Sequence, residues 1–192
     1  MVVLGRAQPE TEQLTLSVNI SGRQFKRPDF VAEVATILQE TGIAPARVNL
    51  ELTESVLMDD ADAAVATIRR LKHLGVKVVI DDFGTGYSSL SYIQRFPFDS
   101  LKVDRSFVGN MNEAEQNMEI VRTIIAMAHK LGLEVVAEWV ELPEHKLALS
   151  DLRCESAQGF YFSKPVPGEE LDTLVAQHWT GSGNGGPRDA TK

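Results

Sequence analysis

Two adjacent carboxylates, Asp81 and Asp82, close the apolar run 76–80 and are followed at once by a glycine-punctuated stretch that continues to Leu90. A short apolar run that ends in acids is typical of a buried strand emerging at a polar rim, and Gly84 and Gly86 permit backbone angles closed to other residues. Because adjacent strand residues point to opposite faces, the two carboxylates are predicted to point in different directions. Taken alone, the stretch fits a functional site and an ordinary strand-to-helix turn about equally well.

Polar or charged residues stand at the ends of the other predicted strands as well. They are Asn19, Glu51, Asp81 with Asp82, Lys102 with Asp104, Glu138, and Gln158 near the start of the last strand. In a parallel sheet these ends meet at one edge, where uncompensated carboxylates would repel one another unless a divalent cation neutralised them. Oxygen ligands favour Mg²⁺, Mn²⁺ or Ca²⁺ over zinc, and Lys102 suits a phosphate or a developing oxyanion. The pattern therefore predicts metal-assisted hydrolysis of a phosphate ester.

The elements that must position these residues follow one repeated pattern, in which a helix ends at glycine and leads into a strand that ends in an acid. Strands are predicted at 14–20, 48–52, 76–82, 100–104, 133–138 and 157–162, and helices at 30–42, 60–75, 88–96, 119–131, 143–152 and 169–179. Strands alternating with helices indicate a parallel α/β sheet, because each return to a parallel neighbour needs a crossover. The pattern leaves an open sheet and a barrel both possible.

The composition is that of one globular domain: 192 residues, 43% hydrophobic, 24% charged and a net charge of −8. We predict a remnant or linker at 1–13, the domain at 14–179 and a flexible tail at 180–192. The acidic balance argues against binding to a nucleic-acid polymer or to an anionic membrane. The single cysteine, Cys154, predicts a core thiol in a reducing compartment. With no signal peptide and no apolar run of membrane-spanning length, we predict a cytoplasmic protein.

Six short sequence motifs together indicate a family resemblance. They are 18–21 with 23–25, 51–55, 81–90, 101–108, 137–138 and 158–160, and they occur in family order up to about Pro167. With them the chain resembles an EAL domain, the family of cyclic di-GMP phosphodiesterases. The resemblance implies a modified TIM barrel with one antiparallel strand and the hydrolysis of cyclic di-GMP to linear pGpG with Mg²⁺ or Mn²⁺.

The resemblance also implies roles for individual residues. Asn19, Glu51 and Asp81 resemble metal ligands, Asp82 the acid at a second metal, Lys102 the lysine that steadies the attacking water and phosphate, and Glu138 the general base, with Gln158, Glu141 and Asp104 in support. Glu54 resembles the anchor of the loop Phe83, Gly84, Thr85, Gly86, Tyr87 and Ser88, which the family uses in dimerisation. A homodimer and a GGDEF-type or sensory partner domain are expected.

The chain departs from the family pattern at two places. The Glu-Ala-Leu phrase, with its strand, its metal-binding glutamate and a nearby arginine, is absent, so we expect about six of the eight barrel strands and two exposed edges. This predicts impaired hydrolysis, or alternatively an inactive module that binds cyclic di-GMP or a protein. Trp139 replaces the family's usual glycine, which predicts an obstructed substrate channel or, alternatively, a stacking face for guanine. His145 replaces a glutamine and is expected to be a surface or packing residue.

Overall fold

The computed structural model describes residues 14–84 and 93–178, which form a curved sheet of six strands with helices between them. The strands are β1 Leu16–Asn19, β2 Val48–Thr53, β3 Lys77–Phe83, β4 Ser100–Val103, β5 Glu134–Ala137 and β6 Ser156–Ala157. The helices are α1 Gly22–Phe25, α2 Phe30–Thr41, α3 Glu54–Met58, α4 Ala61–His73, α5 Arg105–Val108, α6 Glu115–Lys130, α7 Pro143–Asp151 and α8 Gly168–His178. A 3₁₀ turn, Pro45–Arg47, precedes β2.

The sheet is parallel throughout its described strands, in the sequential order β1-β2-β3-β4-β5-β6. Sequential parallel strands with helical crossovers form half of a barrel, which confirms the predicted α/β architecture. The expected antiparallel strand is not among these six strands. Within the described residues, β1 and β6 each have one paired neighbour and form the edges of the sheet.

The core lies between the strands and the crossover helices. Ile68 and Leu71 of α4 and Val121 of α6 are fully buried, as are Val78 of β3 and Val135 of β5. The helices bury apolar residues at helical spacing while both faces of the central strands are covered, which explains the unbroken apolar run of β3. This packing fixes the strands whose carboxyl ends carry the polar residues.

Glycines and an aspartate set helix boundaries as the sequence predicts. Gly42 ends α2 with φ +67°, and Gly75 follows α4 with φ +91°. Asp60 accepts a hydrogen bond from the Ala63 N–H and so caps α4. Asp29 precedes α2 but makes no side-chain capping hydrogen bond, because its carboxylate instead accepts hydrogen bonds from the Arg27 guanidinium.

Several predicted boundaries were wrong. The last strand is only Ser156–Ala157, and the predicted remainder to Phe162 turns instead, since Tyr161 N–H donates to Val140 O and Phe162 N–H to Gly159 O. The short helices α1, α3 and α5 escaped prediction because four or five residues show no helical period. Most of the helix predicted at 88–96 lies outside the described residues. In the described part of the chain no helix is both long and apolar enough to cross a membrane.

Candidate active site

Lys102 brings three strand ends together at the carboxyl edge of the sheet. Its Nζ lies 2.8 Å from Glu51 Oε2, 2.9 Å from Asp81 Oδ1 and 2.7 Å from Glu138 Oε1. Lys102 is 5% exposed, so one ammonium compensates three carboxylates with little help from water. Burial by itself would lower the pKa of Lys102, but the close contacts with the Glu138, Glu51 and Asp81 carboxylates outweigh it and raise that pKa.

Asp82 joins this group through an irregularity in β3. The register between β3 and β4 shifts between Ile80 and Phe83, and Asp82 has a positive φ of 53°. Oxygen atoms of Asp81, Asp82 and Glu138 therefore lie within 4.8 Å of one another. The prediction that Asp81 and Asp82 diverge was wrong, because a bulge removes the alternation on which it relied. Burial, together with the charges of Asp81 and Asp104, raises the pKa of Asp82.

Asn19 adds an amide to the group from the edge strand β1. One terminal atom of its side chain lies 3.3 Å from Glu51 Oε2 and 3.2 Å from Asp81 Oδ2. Without a cation that atom is best assigned as the amide nitrogen, which donates to both carboxylates. The same position suits the amide oxygen when a cation lies between the three groups.

Glu138 is held by two donors at the end of β5. Its Oε1 forms an ion pair with Lys102 Nζ at 2.7 Å and accepts a hydrogen bond from Gln158 Nε2 at 2.6 Å. Burial and the nearby charges of Asp81 and Asp82 raise the pKa of Glu138, while Lys102 opposes the rise. A carboxylate with a raised pKa and a fixed direction is suited to accept a proton.

The supporting residues occupy two different settings. Asp104 is buried and caps α5, since its Oδ1 accepts from Ser106 N–H at 2.9 Å and from Ser106 Oγ at 2.6 Å. These hydrogen bonds outweigh burial, which opposes them, and lower the pKa of Asp104. Glu141 is exposed, and its N–H donates to Nδ1 of the buried His145 at 3.5 Å. His145 is thus a buried residue beside the site and not a surface one.

Glu54 lies beneath the start of the loop that follows β3. Its Oε1 accepts a hydrogen bond from Gly84 N–H at 3.0 Å, and Glu54 is buried. Gly84 has φ +96°, and a Cβ there would come within 2.8 Å of Phe107 Cε2, so a side chain at this position would be strained. The predicted loop residues Thr85, Gly86, Tyr87 and Ser88 lie outside the described residues.

A cavity of about 950 Å³ lies beside the carboxylates around Lys102, which we call the acidic group. Its acidic side includes Asp82, Asp104 and Glu138, and a second wall consists of Arg105, Trp139, Phe160 and Lys164. A volume of this size is at the upper end of small-molecule sites. Trp139 therefore lines this cavity.

The sequence reasoning missed Arg105 and Lys164, and it gave Phe160 no role. Arg105 directly follows the strand-end residue Asp104, so its place at the same edge was available from the pattern. Lys164 lies beyond β6 in a segment without periodicity, and only the fold brings it to the cavity.

The residues fit a hard divalent cation by their chemistry. Asp81, Asp82, Glu51 and Asn19 offer only oxygen ligands, and Asp81 Oδ1 is buried without a hydrogen bond in the described structure, although Lys102 Nζ is 2.9 Å away. Oxygen donors around an under-satisfied buried carboxylate favour Mg²⁺, Mn²⁺ or Ca²⁺.

The fold and site define an α/β half-barrel with an acidic, lysine-centred group at the carboxyl ends of its strands. A family model described as EAL domain matches residues 3–165. The chain belongs to the EAL domain family.

Relatives of known name agree with this assignment. The chain is 46% identical over 164 residues to the cyclic di-GMP phosphodiesterase NbdA of Pseudomonas aeruginosa, covering 85% of this chain and 21% of that protein. The chain thus spans about a fifth of the length of this curated relative.

Solved structures share the fold. The EAL domain of Mycobacterium smegmatis DcpA is 43% identical with a TM-score of 0.83, over 86% of this chain and 74% of that one. Klebsiella pneumoniae BlrP1 is 34% identical with a TM-score of 0.72, over 79% of this chain and 39% of that one. BlrP1 has been solved as a manganese/cyclic di-GMP complex and as a calcium/cyclic di-GMP complex.

Proposed function

We propose that this chain is a cyclic di-GMP phosphodiesterase module that hydrolyses one phosphodiester bond of its substrate to give linear pGpG. The observation that carries the proposal is the Lys102 group, in which Glu51, Asp81 and Glu138 contact one buried ammonium at the edge of a cavity. The names of NbdA and of the BlrP1 complexes supply the substrate.

Asn19, Glu51, Asp81 and Asp82 are the residues that would hold the metal. When bound, Mg²⁺ or Mn²⁺ polarises the phosphodiester and lowers the pKa of a water molecule. Three acids and an amide from three different strands give such an ion several ligands with fixed directions, since each strand is anchored by the core.

The other residues handle the proton and the phosphate. Glu138 accepts a proton from the water as the water oxygen bonds to phosphorus. The bond from phosphorus to the 3′ oxygen breaks, and that oxygen leaves as a hydroxyl by taking up the proton from Glu138. Lys102 offsets the negative charge that develops on the phosphoryl oxygens. Gln158 holds the direction of Glu138 through the 2.6 Å hydrogen bond, while Asp104 and Glu141 shape the cavity wall.

The test is pGpG release by the purified chain with Mg²⁺ and with Mn²⁺, compared with the Glu138→Gln variant. Glutamine keeps the size of the side chain and removes the base, so we expect turnover to fall by about 10²- to 10⁴-fold. Glu119→Gln on the exposed face of α6 is the matched control and should retain full turnover. Wild-type turnover no higher than that of Glu138→Gln would contradict hydrolysis by this chain.

A second candidate function is recognition of cyclic di-GMP with impaired or no turnover. The observation favouring it is that Asn19, a proposed metal ligand, is exposed in the part of the chain that the structure describes. Solvent competes for a ligand in that position and loosens the geometry on which catalysis depends. Calorimetry would then show cyclic di-GMP binding by wild type and Glu138→Gln alike, with no pGpG from either.

We also propose that the chain forms a homodimer in which the loop after β3 connects the dimer interface to the metal site. Support comes from Glu54, whose hydrogen bond to Gly84 N–H ties the start of that loop to α3. Sedimentation velocity of wild type and Glu54→Gln, with and without Mn²⁺, tests the idea, and a monomer under all conditions would contradict it. A GGDEF-type or sensory partner domain and a cytoplasmic location stay predictions.

A further inference from the structure

Trp139 occupies a backbone conformation that its side chain disfavours. Its φ is +61°, in the left-handed region where bulky residues are rare. Deep burial of the side chain does not compensate for this backbone strain, because Trp139 remains 41% exposed. Strain at an exposed aromatic residue that stands next to Glu138 in sequence points to a function rather than to packing.

Trp139 is the centre of a row of aromatic and cationic side chains along one cavity wall. Its ring centroid lies 5.9 Å from that of Phe160 at an interplanar angle of 34°, and Arg105 Cζ lies 5.4 Å from the Trp139 centroid. Lys164 Nζ lies 6.0 Å from the Phe160 centroid, and Phe160 is itself 48% exposed. We call these four residues the aromatic wall.

The chemistry of the aromatic wall complements that of the acidic side of the cavity. Carboxylates bind a cation and accept hydrogen bonds from the edge of a purine, but they offer no face on which a purine ring can stack. Exposed indole and phenyl faces stack on nucleobases, and Arg105 and Lys164 attract the phosphates of an anionic nucleotide. Glu138 and Trp139 line the same cavity, so a nucleotide bound there has the acidic side and the aromatic wall as neighbours.

Resting on the proposed function, we infer that Trp139, with Phe160 behind it, is a base-stacking platform that sets the affinity and the base preference of this chain for cyclic dinucleotides. The two rings are too close for a base to enter between them, so the base stacks on the open face of the pair. This makes Trp139 a binding residue and not an obstruction of the channel.

The test uses the fluorescence of Trp139, a readout independent of turnover. The chain has two tryptophans, so a Trp179→Phe background leaves Trp139 as the only indole emitter. Cyclic di-GMP, cyclic di-AMP and cyclic di-UMP are titrated in the presence of Ca²⁺. We expect saturable quenching by the two purine dinucleotides and at least about fivefold weaker binding of the pyrimidine one, since stacking grows with the area of the base.

Two substitutions separate the ring from the backbone. Trp139→Gly and Trp139→Asn both accept φ +61°, so the fold is retained while the stacking face is lost. We expect calorimetry to show that both variants bind cyclic di-GMP about 5- to 100-fold more weakly than the wild type. The affinity of Trp139→Phe should stay within about threefold of the wild-type affinity. Phe162→Leu is the control, because Phe162 is exposed but does not line the cavity.

The outcomes distinguish this inference from the proposed function. Release of pGpG without quenching of Trp139 overturns the platform and leaves hydrolysis standing. Quenching without pGpG supports the platform and removes hydrolysis, while neither signal overturns both. Unchanged or tighter binding by Trp139→Asn contradicts the platform and would identify Trp139 as an obstruction.

Discussion

A single ammonium holds the candidate site together at the level of residues. Lys102 contacts Glu51, Asp81 and Glu138 at 2.7 to 2.9 Å in a setting that is almost closed to water. Carboxylates that are buried together destabilise a fold unless a positive charge is nearby. Lys102 therefore has a structural role that precedes its proposed role in catalysis.

Lys102→Met tests this structural role. Methionine keeps the length of the side chain but leaves the carboxylates uncompensated, and we expect the free energy of unfolding to fall by about 3–5 kcal/mol at pH 8. The loss should shrink as the pH is lowered, because protonation of the carboxylates relieves their repulsion. Urea denaturation in the presence of a chelator measures both effects.

Lys72→Met is the matched control. Lys72 pairs with Asp99 at 2.7 Å, but both side chains are partly exposed, and Asp99 Oδ2 keeps its hydrogen bond from Val78 N–H. Its loss should be worth no more than about 1 kcal/mol. Equal destabilisation by the two substitutions would contradict a special electrostatic role for Lys102.

The placement of these residues at strand ends was predictable, but the directions of their side chains were not. Placing acids at the carboxyl ends of parallel strands required only the alternation of apolar runs and glycines. The convergence of Asp81 and Asp82 depends on the positive φ of Asp82, which no residue type in the sequence announces. The aromatic wall depends on Lys164 and Phe160, which the chain brings in after the last strand.

At the level of elements, the link between β5 and β6 determines where Gln158 meets Glu138. Val140 N–H donates to Gln158 O at 3.0 Å, and Tyr161 N–H donates to Val140 O at 2.9 Å. Gly159 lies inside this pair of hydrogen bonds, where a Cβ would be 2.2 Å from Val140 O and 2.3 Å from Val140 N. The backbones can approach this closely only because residue 159 has no side chain.

Gly159→Ala should open this link. We expect a loss of about 3 kcal/mol in the free energy of unfolding, together with fast hydrogen exchange at the Val140 and Tyr161 amides. Gly132→Ala is the control, since Gly132 has φ +74° but nothing within 4 Å of its added Cβ. The free energy of unfolding of that control should fall by only about 1 kcal/mol, because of the backbone strain that the alanine introduces. Slow exchange at Val140 in Gly159→Ala would show that the close approach is not needed.

The same link explains where the element prediction failed. The apolar and aromatic residues 160–162 are typical of a strand, yet the close contact at Gly159 turns the chain after Ala157. Long elements such as α2, α4 and β3 were predicted to within a few residues, because their periodicity and their glycine stops agree. Short elements are decided by tertiary contacts that a local pattern does not contain.

At the level of the whole molecule, several carboxylates share the carboxyl edge of the sheet. The net charge is −8, and the Lys102 group with Asp82 and Asp104 places several carboxylates at one edge. The helices and the core fix the strands, so these groups cannot move apart to relieve their repulsion. A divalent cation at this edge should therefore stabilise the entire half-barrel and not only its ligands.

Thermal unfolding with and without metal measures this coupling. A ligand that binds only the folded chain stabilises it by about 2.7 kcal/mol at a hundred times its Kd, which for this chain length corresponds to a rise in Tm of roughly 5 to 10 °C. We expect Mn²⁺ and Mg²⁺ to produce such a rise and a chelator to reverse it. Asp81→Asn removes one carboxylate from the centre of the group. The rise in Tm that metal produces in this variant should be less than half of the rise in the wild type. Its Tm without metal should be equal to that of the wild type or higher, because the repulsion between carboxylates is reduced. The proposal of a metal site at these strand ends would be contradicted if neither ion changed the Tm of the wild type, or if metal raised the Tm of Asp81→Asn as much as that of the wild type.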